Sequence, residues 1–289
     1  VKLADVKKLP PLDRFFYFVE ERESVRLKKE VGLPKPWTDD TALLNYRFTN
    51  VRRMDDRVSQ ELVDLWYKPY FNHPRMLLAI ALARFFNRPR ALGVITNLVF
   101  GRDYLPADIR IVMRNLKKQG EKIWNAAYMV RGNNGKDKVA SVVNFNVGAL
   151  KKAMDKNPDF IVMESMEATW ENIKACYGFG SFMAGQVVAD ARWAIVGTWE
   201  DRMTWAPIGP GSQKGMNTIL GLDPKAPMKQ DMFCKQLRFL FDVLHQRLPK
   251  IAERIELFDL QNCCCEMSKF NKVVMGYGRP KQLYDGVVS

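Results

Sequence analysis

Cys176-Tyr177-Gly178-Phe179-Gly180-Ser181-Phe182-Met183-Ala184 runs into Gln186-Val187-Val188-Ala189-Asp190, and this stretch decides how the rest of the chain is read. An apolar residue between two glycines makes a tight turn, because glycine lets the backbone bend sharply and approach a neighbour closely. The apolar run behind it opens a helix, so Ala175 to Asp190 reads as a hairpin with its following helix. Hairpin amides and a helix N-terminus placed together suit a DNA phosphate. The same letters also suit a turn needed only for close helix packing.

Outward from the hairpin, helical periodicity dominates. Leu12, Phe15, Phe16, Val19, Val25 and Leu27 recur among charges over 12–30; Val58, Leu62, Leu65 and Trp66 do so over 58–68. Phe233, Leu237, Leu240, Phe241, Leu244 and Leu248 predict a third amphipathic helix over 231–256. Prolines at 34, 36, 69, 74, 89, 106 and 158 keep the helices of the first half short. Ala127 to Val147 is the one strand-like interval: Tyr128-Met129-Val130 and Val143, Phe145, Val147 alternate around Gly132-Asn133-Asn134-Gly135, which predicts a small β-hairpin. The expected class is mainly α, a single two-lobed unit over 1–289. One helical lobe spans 70–195 and ends in the hairpin element; 1–69 plus 196–289 form the second, with the active cleft between them.

The 289 residues are 47% hydrophobic, enough for a folded core. Their 45 basic and 32 acidic side chains leave a charge of +13 spread along the whole chain, which makes nucleic acid the leading partner. No run of 18 apolar residues suggests a membrane span, and no secretory signal is visible. Five cysteines, three of them adjacent at Cys263, Cys264 and Cys265, form no disulfide framework and point to a reducing cytoplasm. With no CxxC pair and only His73 and His245, a metal site is not expected.

Three further segments carry chemistry. Phe48-Thr49-Asn50-Val51-Arg52-Arg53-Met54-Asp55-Asp56-Arg57 alternates guanidinium, amide and carboxylate groups, with Arg47 just before it. Read as a helix, Arg52 and Asp56 pair at i,i+4 and the remaining guanidinium groups grip a phosphate or carboxylate; a salt-bridged helix start is the plain alternative. Gly209-Pro210-Gly211-Ser212-Gln213-Lys214-Gly215-Met216-Asn217 lacks the Gly-x4-Gly-Lys-Ser/Thr spacing of a P-loop. Its amides, Ser212 and Lys214 make either an anion nest or a helix cap. Asp259-Leu260-Gln261 leads into Cys265-Glu266-Met267-Ser268-Lys269-Phe270, and on one helix Asp259, Glu266 and Lys269 share a face, as a proton-transfer set or as an ion pair. Trp37, Trp205, Phe48, Tyr67 and Tyr70 are either core or stacking platforms for an unpaired base.

In this order, with Pro36-Trp37-Thr38-Asp39 ahead of them and Trp205-Ala206-Pro207-Ile208 before the second glycine loop, these segments resemble one family over residues 30 to 285. It is the alpha-glutamyl/putrescinyl thymine pyrophosphorylases, the amino acid:DNA transferases of bacteriophages. The hairpin itself resembles the helix-hairpin-helix element of DNA glycosylases. The resemblance implies a glycosylase-like helical fold that hypermodifies thymine: the amine of an amino acid or polyamine displaces pyrophosphate from pyrophosphorylated 5-hydroxymethyluracil in double-stranded DNA. A DNA 5-hydroxymethyluracil kinase supplies that substrate, and the infected bacterial host cytoplasm is the implied setting. Under this reading Arg52, Arg53, Ser212 and Lys214 bind pyrophosphate, and Glu266, or one of Asp39, Asp55 and Asp56, holds or deprotonates the amine, with Lys269 as partner. Asn50, Asn217, Gln261 and Trp205 read a flipped base, while Gly178, Gly180 and Ser181 hold the DNA backbone. No cofactor is required, although a magnesium ion can accompany the pyrophosphate.

Two other functions share these letters. Glycosylases of this fold place a catalytic Asp shortly after the hairpin helix; here Asp190 lies within that helix and Asp201 follows the hairpin by roughly twenty residues, so a base-excision activity on a modified base would be built on Asp201. A non-catalytic DNA-binding protein is the third reading.

Overall fold

The computed structural model describes residues 3–125 and 137–278. In chain order, α1 (Leu3–Lys8), α2 (Pro11–Glu30) and α3 (Thr41–Asn45) are followed by a 3-10 turn at Arg53–Asp55. Then come α4 (Arg57–Leu62), extended in π geometry by Val63–Tyr67, α5 (Met76–Phe86), α6 (Pro89–Val94), α7 (Thr96–Phe100) and α8 (Pro106–Lys118). A short α9 (Lys138–Ala140) continues as a π segment, Ser141–Asn146, into α10 (Val147–Lys156). The chain closes with α11 (Met166–Lys174), α12 (Ser181–Ala194), α13 (Pro210–Ile219), α14 (Gln230–Arg247), α15 (Pro249–Ala252) and α16 (Leu257–Met275).

The class is mainly α, and among the described residues there is no strand. The strand-like reading of Ala127 to Val147 is therefore corrected where it can be seen: Val143 and Phe145 lie in the π segment and Val147 opens α10. The Gly132–Gly135 turn and Tyr128-Met129-Val130 lie outside the described residues. The alternation was a β-branched run on a buried helical face, where Val142, Val143 and Val147 are all 0% exposed; periodicity over so short a window does not separate the two. The expected helix over 231–256 is broken at Leu248–Pro249, because proline cannot continue the ladder.

Two compact units divide the chain. Unit 1 takes Val1–Asp56 and Arg202–Ser289; unit 2 is the continuous stretch Arg57–Asp201. In unit 2, α5 is buried at all 11 positions and packs on α12. Its Arg84 is also inside, with Nε donating to Asp190 Oδ2 of α12 at 2.5 Å, and Tyr67 Oη donates to the same oxygen. A buried charge persists only when so paired. In unit 1, Phe18 of α2, Phe48 and Phe270 of α16 form an aromatic cluster with centroids 4.7 to 6.1 Å apart. α13 lies so close to α16 that a Cβ on Gly215 would sit 1.7 Å from the Cys264 carbonyl oxygen and one on Gly211 would clash with Cys265 Sγ. Cys263 and Cys264 face inward and Cys265 is half-buried. No helix among the described residues is long and apolar enough to cross a membrane.

Candidate functional site

Within unit 1, three segments distant in sequence meet. α16 brings Glu266 and Lys269 one turn apart, and the loop after α3 brings Thr49, Asn50 and Asp56. The inner face of α2 brings Arg22. Glu266 is 3% exposed: its Oε1 accepts from Lys269 Nζ at 2.5 Å and its Oε2 from the Thr49 backbone N–H at 3.3 Å. Thr49 is fixed in turn by Asn262, whose Nδ2 donates to Thr49 Oγ1 at 2.8 Å. Asp56 Oδ1 accepts the Asn50 N–H at 3.0 Å. Burial pushes the Asp56 carboxyl above the usual range, opposed by that N–H and by Arg22 and Arg53, and assisted by the Glu266 charge.

The block from 48 to 57 is not a helix. Asn50 Nδ2 donates to Asp55 O at 2.7 Å and the Arg53 N–H to Asp259 Oδ1 at 2.9 Å, which folds the block into a compact turn tied to the start of α16. The expected Arg52–Asp56 pairing is replaced by Arg52 with Asp55 at 3.7 Å. Asp55 belongs to a structural network: Arg26 and Arg254 reach its Oδ2 at 3.3 and 3.1 Å, and both also bind Glu23 of α2.

The second glycine loop is built for packing. Ser212 is 1% exposed, accepts the Gly209 N–H at 3.0 Å as part of the α13 cap, and receives Gln261 Nε2 at 3.1 Å. Gln261 also binds Pro207 O. Asn217 is fully buried and donates to Ala226 O at 2.8 Å, and Trp205 is 4% exposed against Phe258. Ser212 with Gln261 ties α13 to α16, Asn217 pins the loop after α13 and Trp205 packs the segment before it on α16, whereas Lys214 of α13 is exposed. Asp39 is exposed; its neighbour Asp40 caps α3, accepting from Ala42 and Leu43 N–H and from Tyr17 Oη.

In unit 2, Gly178 has φ +83°, and a Cβ there would meet the Asn146 carboxamide at 2.2 Å, so turn and close approach both demand glycine. Gly180 precedes α12 in an extended conformation with open space where a Cβ would stand. Both glycines are exposed, flanked by exposed Tyr177 and Phe182. Asp201 caps α11: it accepts from Ser165 Oγ and from the Met166 and Glu167 N–H groups at 2.8 to 2.9 Å.

Sequence reasoning missed Arg22, Thr49 and Asn262 as members of the cluster. Arg22 was detectable: it stands seven residues after Phe15, on the stripe of Phe15, Phe18 and Val19, where an amphipathic helix places core residues.

A family model described as "5-hmdU DNA kinase, helical domain" matches residues 10–278. A 5-hmdU DNA kinase of Bacillus phage SP10 is 25% identical over 291 residues, covering 89% of this chain and 44% of that protein. The chain thus spans less than half the length of the curated relative it matches. No solved structure matches.

Proposed function

The chain belongs to the 5-hmdU DNA kinase helical-domain family, and on that premise we propose that it acts on DNA carrying 5-hydroxymethyluracil, moving an amine onto the 5-methylene of the pyrophosphorylated base. The observation that carries this is the cluster of Asp56, Glu266, Lys269 and Thr49, in which a buried Glu266, a half-buried Asp56 and an accessible Lys269 are assembled by α16 and the 48–56 turn from opposite ends of the chain. These 289 residues hold no P-loop spacing, so phosphoryl transfer from a nucleotide is not the reaction assigned to them; the pyrophosphorylated base is the product of a kinase reaction and the substrate here.

The chemistry needs little beyond anion stabilisation and an oriented amine. The ammonium form of the donor gives one proton to Asp56, whose raised pKa suits it as acceptor. The freed lone pair forms the C–N bond, the C–O pair leaves with pyrophosphate, and the product keeps its second proton as a secondary ammonium. Glu266, fixed by Lys269 and Thr49, holds the amine in line. Arg52, with its side chain 41% exposed, Arg53 and the exposed Lys214 are the cations that receive pyrophosphate in this reading. A magnesium ion would arrive on the pyrophosphate oxygens: among the described residues no group of three or more His, Cys, Asp or Glu side chains gathers to hold one. The turn at Gly178 to Ser181 is a helix-hairpin-helix that grips the DNA backbone, and the host cytoplasm during phage infection is the setting.

Base excision has weaker support, because Asp190 is spent on Arg84 and Tyr67 and Asp201 on the α11 cap. The test is mass spectrometry of nucleosides after incubating the chain with pyrophosphorylated 5-hydroxymethyluracil DNA and a panel of amines. A thymidine–amine adduct with released pyrophosphate is expected; free base would establish a glycosylase, and unchanged DNA an inert binder. Glu266→Gln should lower adduct formation about 10²-fold, the scale of a misplaced reactant, while sparing DNA binding.

A further inference from the structure

Arg22 is the charged side chain in unit 1 whose position the reaction above leaves unexplained. It is 7% exposed, and its guanidinium carbon stands 5.7 Å from the Phe18 ring and 5.8 Å from the Phe48 ring. Burial pulls its pKa down, opposed by the carboxylates of Glu266, Asp56 and Glu23. Each of these carboxylates is turned to another donor: Glu266 to Lys269 and Thr49, Asp56 to Asn50, Glu23 to Arg26 and Arg254. Among the described residues no hydrogen bond or ion pair reaches the Arg22 guanidinium. Its five N–H donors lie on an aromatic floor, and aromatic faces satisfy charge but not N–H donors; none of its nitrogens is among the solvent-sealed unpartnered atoms of the described residues, so a ligand can reach them.

We propose that Arg22 receives the carboxylate of the amine donor, so that the substrate is an α-amino acid whose ammonium lies toward Asp56 and Glu266. This deepens the amine-transfer reading and rests on it. The planar fork of arginine matches a carboxylate with two parallel hydrogen bonds. Charge balance selects the same ligand: Arg22 and Lys269 offset Asp56 and Glu266, so the cluster accepts a zwitterion without net charge. A pyrophosphate would meet two carboxylates, and a diamine would set a second cation against Arg22.

Ornithine and putrescine differ only by the α-carboxylate and provide the test. Wild-type chain and the Arg22→Gln and Arg22→Lys variants are assayed with each amine on pyrophosphorylated 5-hydroxymethyluracil DNA, and adducts are quantified as nucleosides. The wild-type chain should favour ornithine by at least about tenfold in kcat/KM. Arg22→Gln should erase that preference by raising KM for ornithine at least about tenfold more than for putrescine, and Arg22→Lys, which keeps the charge, should restore part of it. An equal loss with both amines, or a wild-type preference for putrescine, would overturn the assignment. Calorimetric titration of each amine into the chain without reaction separates the two readings. Ornithine binding that Arg22→Gln abolishes would stand even if no adduct formed with any amine, in which case the transfer reading alone fails. Absence of ornithine binding to the wild-type chain sinks the Arg22 site.

Discussion

Asp56 carries a burden that a carboxamide in the same place would escape. Its pKa is raised mainly because burial disfavours the charged form, so at neutral pH the folded chain must ionise a group that would rather stay protonated. Asp56→Asn keeps the acceptor for the Asn50 N–H and removes the charge. Below the ordinary value of 3.8 both folded and unfolded wild-type chains carry the proton and the substitution gains nothing; above the raised folded value its gain is complete. Denaturant unfolding should therefore show Asp56→Asn more stable than the wild-type chain at pH 7, with the difference shrinking as pH falls toward 3.8. The same variant should lose amine transfer if Asp56 accepts the proton, the pairing of added stability with lost activity that marks a working group. Wild-type stability at or above that of the variant at pH 7 would show that Arg22 and Arg53 outweigh burial. Cys265 behaves differently: burial pushes its thiol up to about 11, so it should alkylate slowly at neutral pH although it is half-exposed.

At the scale of elements, glycine explains both what the sequence conveyed and what it concealed. The turn at Gly178 and the helix behind it were legible because Gly178 and Gly180 stand between an amphipathic helix and an apolar one, and α2, α4 and most of α14 followed from periodicity alone. The convergence of Thr49, Asp56 and Glu266 was legible only as residue types, since nothing in the letters fixes which side chains of three distant segments touch. The loop from 209 to 217 was harder: a glycine that lets a phosphate approach and one that lets a helix approach are the same letter. In α13 it is the helix that approaches. Gly215→Ala drives a Cβ into the Cys264 carbonyl and should cost about 3 kcal/mol, the upper end for overpacking, measured by urea unfolding. In the hairpin the two glycines should separate. Gly178→Ala strains a left-handed turn against Asn146 and should lower stability, while Gly180→Val should leave stability within about 0.5 kcal/mol and weaken duplex binding if a phosphate docks there. Unchanged affinity for Gly180→Val would remove the hairpin from the DNA contact.

For the molecule as a whole, the surplus of 13 positive charges should show as a linear fall of log affinity for DNA with log salt concentration, because neutralised phosphates release counterions. A flat salt response would argue that the charge serves solubility alone. The division of the chain into a continuous unit 2 and a unit 1 joined from both ends has its own consequence, which belongs to synthesis. Arg14 of α2 donates to Asn271 of α16 across 257 positions of sequence. At roughly 5–20 residues per second on the ribosome, α2 emerges roughly 10–50 s before the helix that covers Phe18 and Arg22, while residues 57–201 can complete their own core in the interval. The aromatic face of α2 thus waits uncovered in the nascent chain, and the contacts of Glu266 with Thr49 and Lys269 form only once α16 has been made.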